Sequence, residues 1–295
     1  MSSLKRRFFL CLIGALAGLC SWSAAEMIMV FQKNYPSYLF FSIFLGAVFG
    51  AIIGGFFGSS DGIIMKGRIM RGVVHGMIIG SVGGVLGFLV GQGALFVAGE
   101  YLLHSVRDFR MIGFPVSRAL GWSLLGLFAG MAEGVRSRSL EKIRIGIIGG
   151  ITGGLIGGLA LEYLKTFFPD MMLGRLTGLL IFGLVVGFMY GLVEARLSFG
   201  VLTLLNGRFR GKDFLINQRR IRLGAGSSND VDLNGYRNID ERHAEITAKR
   251  DELFIKADSG DSAPVYVNDD KVKDHKLKIG DVIKIGSAKL LYHYK

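Results

Sequence analysis

Long apolar stretches fill the first two-thirds of this chain, and they limit its fold more than any other feature. Six such stretches precede residue 200, each close to the roughly 20 residues that a helix needs to cross the hydrocarbon core of a membrane. A soluble core would not concentrate its apolar residues in one contiguous part of the chain. The sequence therefore predicts a polytopic membrane bundle rather than a soluble enzyme, with spans near 8–30, 38–58, 72–98, 119–135, 145–164 and 176–195.

Basic residues in the connecting segments predict the orientation of these spans. Eleven Lys or Arg residues fall on the side that holds both chain ends and six on the other side, and the richer side is expected to be cytoplasmic. We expect an inner or plasma membrane protein of bacterial type with both termini in the cytoplasm. The same basic loops explain the larger part of the net charge of +12, since residues 1–205 carry +8 and residues 206–295 carry +4, so no nucleic acid partner is expected. Residues 1–25 also resemble a cleavable signal peptide, an alternative to an uncleaved first span.

Glycine recurs at every fourth position along the spans. Residues four apart share one helix face, and a face of glycine lets two helix backbones approach closely. The pattern favours a tightly packed bundle in a lipid bilayer over close helices around a pore, and it leaves a homo-oligomer through the same faces open. The striped positions include Gly46, Gly50, Gly54, Gly72, Gly76, Gly80, Gly84, Gly126, Gly130, Gly134, Gly146, Gly150, Gly154, Gly158, Gly183, Gly187 and Gly191.

Five ionisable residues in or near the spans are the candidates for transport chemistry: Glu26, His75, Glu133, Glu162 and Glu194. None falls clearly at the middle of a span, where a charge is costly, so the pattern favours anchoring at the interface over an ion pathway. Weak internal repetition of glycine-striped hairpins, which is frequent in transporters, keeps the transporter alternative open. The segment 99–118 is expected to lie partly along the membrane surface as an amphipathic helix.

A different pattern follows Gly211, where short β-branched runs alternate with turn residues. Asn234-Gly235, residues 259–260 and Asp269-Asp270 are expected to form turns. We predict a membrane domain over 1–205, a basic linker over about 196–212, and an all-β sandwich over 206–295. The predicted strands are DFLI, IRLG, VDL, AEITAK, LFIKA, PVYVN, HKLK, DVIKIG and AKLLYHY.

Four sequence segments in this tail, taken in order, resemble the forkhead-associated (FHA) domain family. They are IRLGAGSSNDVDL, IDERHAEI, VYVNDDKV and LKIGDVIKIG. The resemblance covers about residues 207–295 and implies a sandwich that binds phosphothreonine peptides through loops at one end. It assigns structural roles to Gly224, Asn229, Asp230, His243 and Asn268.

Three positions depart from the family pattern at the phosphate site. Ala225 stands where the family has an arginine, Asp240 where it has a serine, and Ala263 where it has an asparagine. Phosphate prefers cationic and N–H or O–H donors, whereas a carboxylate repels it. A substitute peptide-binding site is expected from residues in or near the same loops, namely Arg222, Ser227, Ser228, Arg237 and Arg242.

These observations predict a membrane-anchored adaptor or scaffold that recruits a protein partner through residues 206–295, independently of phosphothreonine. The alternatives are a transporter or channel regulated by the tail, and a phosphothreonine-binding signalling protein. The sequence contains no P-loop, GxSxG, HExxH or kinase motif. No catalytic residue, metal site or cofactor is therefore expected.

Overall fold

A computed structural model describes residues 3–65, 69–102, 109–168, 171–207, 209–226, 229–249, 252–258 and 264–293. The chain divides into two compact units, one formed by residues 7–194 and the other by residues 1–6 together with 195–295. The first is helical and the second consists mainly of β-strands.

The helices of the first part are α1 (Ser3–Val30), α2 (Tyr38–Met65), α3 (Ile69–Leu102), α4 (Phe114–Arg136), α5 (Leu140–Phe167) and α6 (Met171–Leu197). Within the described residues, six helices are long and apolar enough to cross a membrane, which confirms the predicted spans. Most are a few residues longer than predicted because charged residues near their ends, such as Arg118 and Arg136, are still helical.

The segment between α3 and α4 differs from the expected surface helix. Helix α3 continues to Leu102, and a five-residue π-helix, Phe109–Gly113, leads directly into α4. Residues 103–108 lie outside the described residues. Much of the segment thus extends the neighbouring helices, because its interleaved apolar residues, including Met111 and Phe114, continue the apolar pattern of α4.

Glycine faces join the helices in pairs. A Cβ built at Gly50 would meet the carbonyl oxygen of Gly80, and a Cβ built at Gly80 would meet that of Gly50. The same reciprocal contact joins α4 to α5 through Gly126 and Gly150, and α1 to α6 through Gly14 and Gly183. These faces therefore pack against helices of the same chain, at a backbone separation that only glycine permits.

The second part is a two-sheet sandwich. Its six-stranded sheet has the order β2-β1-β11-β10-β7-β8, and its five-stranded sheet has the order β4-β3-β5-β6-β9. All pairs are antiparallel except β3 with β4. The strands are β1 (Val201–Leu204), β2 (Asp213–Leu215), β3 (Arg220–Gly224), β4 (Val231–Asp232), β5 (Ala244–Lys249), β6 (Glu252–Ala257), β7 (Val265–Val267), β8 (Asp270–Val272), β9 (Asp274–Leu277), β10 (Val282–Ile285) and β11 (Ala288–His293).

Alternation along the strands builds the sandwich core. Leu202 and Leu204 on β1, and Ile221 and Leu223 on β3, are almost completely buried, whereas their neighbours Thr203 and Arg222 are not. Side chains two apart point to one face of a sheet, so the apolar faces of both sheets meet in a single cluster. The structure thus bears out the predicted all-β sandwich.

Strand β1 was missed from the sequence, and the predicted linker over 196–212 is wrong. Val201–Leu204 pairs with both β2 and β11, so the sandwich begins before residue 206, and residues 205–212 connect β1 to β2. The apolar letters VLTL follow the last span after only five residues, RLSFG, so hydropathy alone did not assign them to the sandwich.

Strand β8 was also missed, because the turn before it lies one residue earlier than predicted. Asn268 and Asp269 have positive φ angles of 53° and 71°, which asparagine and aspartate tolerate better than most residues. Asp270 is consequently the first residue of β8 and pairs with Val267.

Candidate functional site

Loops at one end of the sandwich form the candidate peptide-binding surface. We call residues 225–226, 229–230 and 236–242 the loop face. The backbone N–H of Ala225 donates to the carbonyl oxygen of Asp240 at 2.9 Å, and that of Gly226 donates to the carbonyl oxygen of Glu241 at 3.2 Å. The β3–β4 and β4–β5 loops are therefore fastened to each other before any partner binds.

Asn229 and Gly224 reinforce this junction. The side-chain amide of Asn229 donates to the carbonyl oxygens of both Gly226 and Glu241. A Cβ at Gly224 would collide with the carbonyl oxygen of Glu241, so only glycine lets the loop approach β3 this closely. Asp230 accepts from the backbone N–H of Arg222 at 3.0 Å. These side chains hold the loops in place through bonds within the domain.

His243 supports the loop face from below. Its side chain is fully buried. Its Nδ1 accepts from the backbone N–H of Asp240 at 3.2 Å, so its Nε2 carries the proton that points to the carbonyl oxygen of Pro264, 3.4 Å away. His243 thus bridges the β4–β5 loop and the segment that enters β7.

Asn268 fixes a second turn by bonds on both sides of its amide. Its Oδ1 accepts from the backbone N–H of Val282 at 2.9 Å, and its Nδ2 donates to the buried carboxylate of Asp281 at 2.8 Å. The other oxygen of Asp281 accepts from the backbone N–H of Lys278 at 2.7 Å. The β7–β8 turn is in this way tied to the start of β10.

The arginines expected to bind a peptide lie on different elements. Arg222 lies on β3, where Glu245 of β5 is its register partner. Arg237 and Arg242 are exposed on the β4–β5 loop, and the backbone of Arg237 is bonded in both directions to Ser287. Arg237 and Arg242 therefore belong to the loop face, and Arg222 belongs to the sheet beside it. Ser227, Ser228 and Ala263 lie outside the described residues.

Charge on the loop face is mixed. Asp240, Glu241, Arg237 and Arg242 are all exposed there, and Ala225 supplies no cationic side chain. A phosphate dianion at this surface would meet two carboxylates as well as two guanidinium groups, which weakens its binding.

The membrane part contains a second polar cluster, which the sequence showed only in part. The guanidinium of Arg175 binds both carboxylate oxygens of Glu26, at 2.7 and 3.0 Å. Glu162 is 3% exposed and accepts from the indole N–H of Trp122 at 3.0 Å and from Lys165 at 2.9 Å. Arg118 lies 3.9 Å from the same carboxylate. Only the spacing of Glu162 and Lys165, three residues apart, could have indicated one of these pairs.

The remaining ionisable candidates lie elsewhere in the bundle. The carboxylate of Glu133 is buried and binds the guanidinium of Arg136. Glu194 is buried near the end of α6. The Nδ1 atom of His75 is 2.8 Å from the carbonyl oxygen of Arg71, one turn earlier on an exposed face of α3.

Comparisons with known proteins agree with this sandwich. A family model described as inner membrane component of T3SS, cytoplasmic domain, matches residues 203–295. No curated protein sequence matches the chain.

Several solved structures of FHA domains also match the C-terminal third. The FHA domain of the CT664 protein from Chlamydia trachomatis is 21% identical, with 32% of this chain and 96% of that chain covered and a TM-score of 0.30. The FHA domain of an Arabidopsis thaliana hypothetical protein is 21% identical, with 32% and 83% covered and a TM-score of 0.29. The N-terminal FHA domain of S. cerevisiae Rad53p, solved with a phosphothreonine peptide, is 14% identical, with 32% and 92% covered and a TM-score of 0.29.

The C-terminal domain is therefore FHA-like, as its four sequence segments predicted. Together with the six apolar helices, the family description supports a multi-pass protein of the inner membrane.

Proposed function

We propose that this chain is a membrane-anchored adaptor that recruits a protein partner to the cytoplasmic face of the inner membrane through its FHA-like domain, independently of phosphothreonine. The observation that carries the proposal is the loop face, whose two loops are bonded to each other and braced by His243. Preorganised loops lose little entropy on binding. A surface of this kind suits the docking of a protein.

The chemistry of the loop face favours a partner without phosphate. Asp240 and Glu241 stand beside Arg237 and Arg242, so the surface presents both signs of charge rather than a cationic pocket. A partner segment that also carries both signs would be complementary to it. The matching family description, an inner membrane component of T3SS, makes another component of a membrane assembly the class of partner to test first.

The test uses the full chain, tagged and purified from its native membrane in mild detergent, with and without phosphatase treatment. Arg242→Glu reverses one charge on the loop face. Lys249→Glu makes the same change at the far end of β5 and serves as the matched control. We expect the same proteins to co-purify with the native chain and with Lys249→Glu, to be lost with Arg242→Glu, and to resist phosphatase.

Two results would contradict the proposal. If phosphatase releases the partner, its binding depends on phosphorylation, as expected of a phosphothreonine-binding domain. If a chain shortened after residue 197 still retains the partner, recruitment does not depend on the FHA-like domain.

A further inference from the structure

A cavity of about 130 Å³ lies at one end of the helical bundle. It is surrounded by the ends of α1, α3 and α5 and by the beginnings of α2, α4 and α6. Its lining includes Phe49, Phe88 and Trp122, whose rings contact one another with centroids 5.6 to 6.0 Å apart. This part of the lining is therefore apolar.

Beside these rings, the lining carries charge of predominantly one sign. Arg118, Lys165 and Arg175 line the cavity, but Glu162 is the one carboxylate among its described lining residues. Glu26 pairs with Arg175, and Glu162 is bonded to Lys165. Arg118 shares Glu162 at the longer distance of 3.9 Å, so the group as a whole has one more cation than carboxylate.

Arg118 lies near the start of α4 and its side chain is 30% exposed, so an anion can reach the excess cation at this end of the bundle and pair with it. Neutral groups near Arg118 can assist such an anion. The guanidinium donates to the hydroxyl of Tyr38 at 3.3 Å, and Gln92 donates to Ser42 at 3.3 Å on the same lining. Amide and hydroxyl donors beside a guanidinium are typical of sites for carboxylates and phosphates.

We propose that this cavity binds the head end of an acyl-chain anion, with its carboxylate or phosphate at Arg118 and the first carbons of its chain against Phe49, Phe88 and Trp122, since a volume of about 130 Å³ holds only a few methylene groups. Both sources of this chemistry, a free fatty acid and an anionic phospholipid, present one anionic group on an apolar chain. The competing explanation is that the charges only fasten α1 to α6 and α4 to α5. That role requires the ion pairs but no cavity, and it predicts no saturable binding.

Trp122 makes binding measurable in the intact protein. The chain contains two tryptophans, so Trp22→Phe leaves Trp122 as the single fluorescent indole. The purified full chain in phosphatidylcholine nanodiscs is titrated with dibromostearate or with dibromostearyl alcohol, because bromine quenches indole only at short range. In a second pair of samples, brominated phosphatidylglycerol or brominated phosphatidylcholine is built into the disc.

We expect saturable quenching by at least one anionic probe and only the linear background of partitioning from its neutral counterpart. Saturation by dibromostearate alone identifies a fatty acid, and saturation by brominated phosphatidylglycerol identifies a phospholipid. Equal quenching by charged and neutral probes, or no saturation with either anion, would overturn the proposal.

Two further variants test the two ends of the site, Arg118→Gln at the anionic group and Gly91→Leu at the acyl chain. Arg118→Gln should weaken the binding of the anionic probe about tenfold or more, since a charge-assisted hydrogen bond is lost. Arg144→Gln, which removes an exposed arginine of α5 outside the lining, should leave it unchanged.

Gly91 lines the cavity, and a Cβ there would make only ordinary contacts, the nearest at 3.6 Å. Gly91→Leu should fill the apolar part and abolish saturable quenching, and size-exclusion chromatography of the variant checks that it is still monodisperse. Unaltered binding in both Arg118→Gln and Gly91→Leu would place the probe elsewhere and refute the proposal.

Discussion

Gly50 of α2 and Gly80 of α3 face each other so closely that a Cβ on either would fall on the carbonyl oxygen of the other. The same relationship recurs at Gly46 with Gly84 and at Gly54 with Gly76. Four-residue spacing on two antiparallel helices brings successive pairs into register, so the stripe acts as one continuous seam. Dispersion and weak Cα–H···O contacts accumulate along such a seam.

Replacing Gly50 by alanine should force α2 and α3 apart. Overpacking of this kind costs about 1–3 kcal/mol, and we expect the melting temperature of the detergent-solubilised chain to fall by several degrees, measured by the loss of its monodisperse chromatographic peak on heating. Gly93→Ala is the control, because no atom lies within 4 Å of a Cβ at Gly93. An equal loss of stability in both variants would show that the seam is not the cause.

Glu162→Leu should destabilise the bundle strongly. It removes the acceptor of the Trp122 indole and leaves Lys165 without its carboxylate, and breaking a buried ion pair costs about 3–5 kcal/mol. Arg144→Gln breaks the ion pair between Arg144 and Glu141. The side chain of Arg144 is 70% exposed, so this loss should cost less than about 1 kcal/mol. Thermal unfolding of the two proteins in one detergent compares them directly. Similar unfolding temperatures would contradict the burial of Glu162.

His243→Ala should loosen the loop face while the sandwich stays folded. The backbone N–H of Asp240 loses its buried acceptor, at a cost of about 1–3 kcal/mol. Hydrogen–deuterium exchange should accelerate at Ala225 and Gly226, whose amides are bonded to the β4–β5 loop, and less so within β10. His275→Ala is the control. It replaces a partly exposed side chain of β9 and should not change the exchange rates at Ala225 and Gly226 or within β10. Unchanged exchange in His243→Ala would remove the support for its bracing role.

The distribution of basic residues predicts that both chain ends face the cytoplasm. Alkaline phosphatase fused after residue 293 should be inactive, whereas the same enzyme inserted at residue 34, between α1 and α2, should be active. Green fluorescent protein at the two positions should give the reverse result. An active phosphatase at the C-terminal fusion would place the FHA-like domain on the wrong side for cytoplasmic recruitment.

Hydropathy and strand alternation were sufficient to predict the six spans and the sandwich, because both patterns follow from solvent exposure at each position. The glycine stripes also indicated close packing, but not which helices pair. That choice depends on loop geometry and on contacts such as Gly14 with Gly183, far apart in the chain.

The polar cluster around Glu26 and Glu162 was harder to predict, because its residues are far apart in the sequence. Glu26 and Arg175 are 149 residues apart in sequence, and only the folded bundle brings them together. Arg118 was placed in the surface segment 99–118, outside the predicted span, because the apolar run of α4 is less regular near its start. In the sandwich, the family resemblance identified His243 and Asn268, but their bonds to Asp240 and Val282 could be seen only in the structure.

Helix α6 ends at Leu197 and β1 begins at Val201, and the residues between them are bonded into the sandwich. The backbone N–H of Phe199 donates to the carbonyl oxygen of Ile216, and that of Ile216 donates to Gly200. Four residue steps span at most about 14 Å even when fully extended. A captured protein would therefore give up its freedom to move through the cell interior, and its encounters would be confined to a thin layer that drifts in the plane of the membrane.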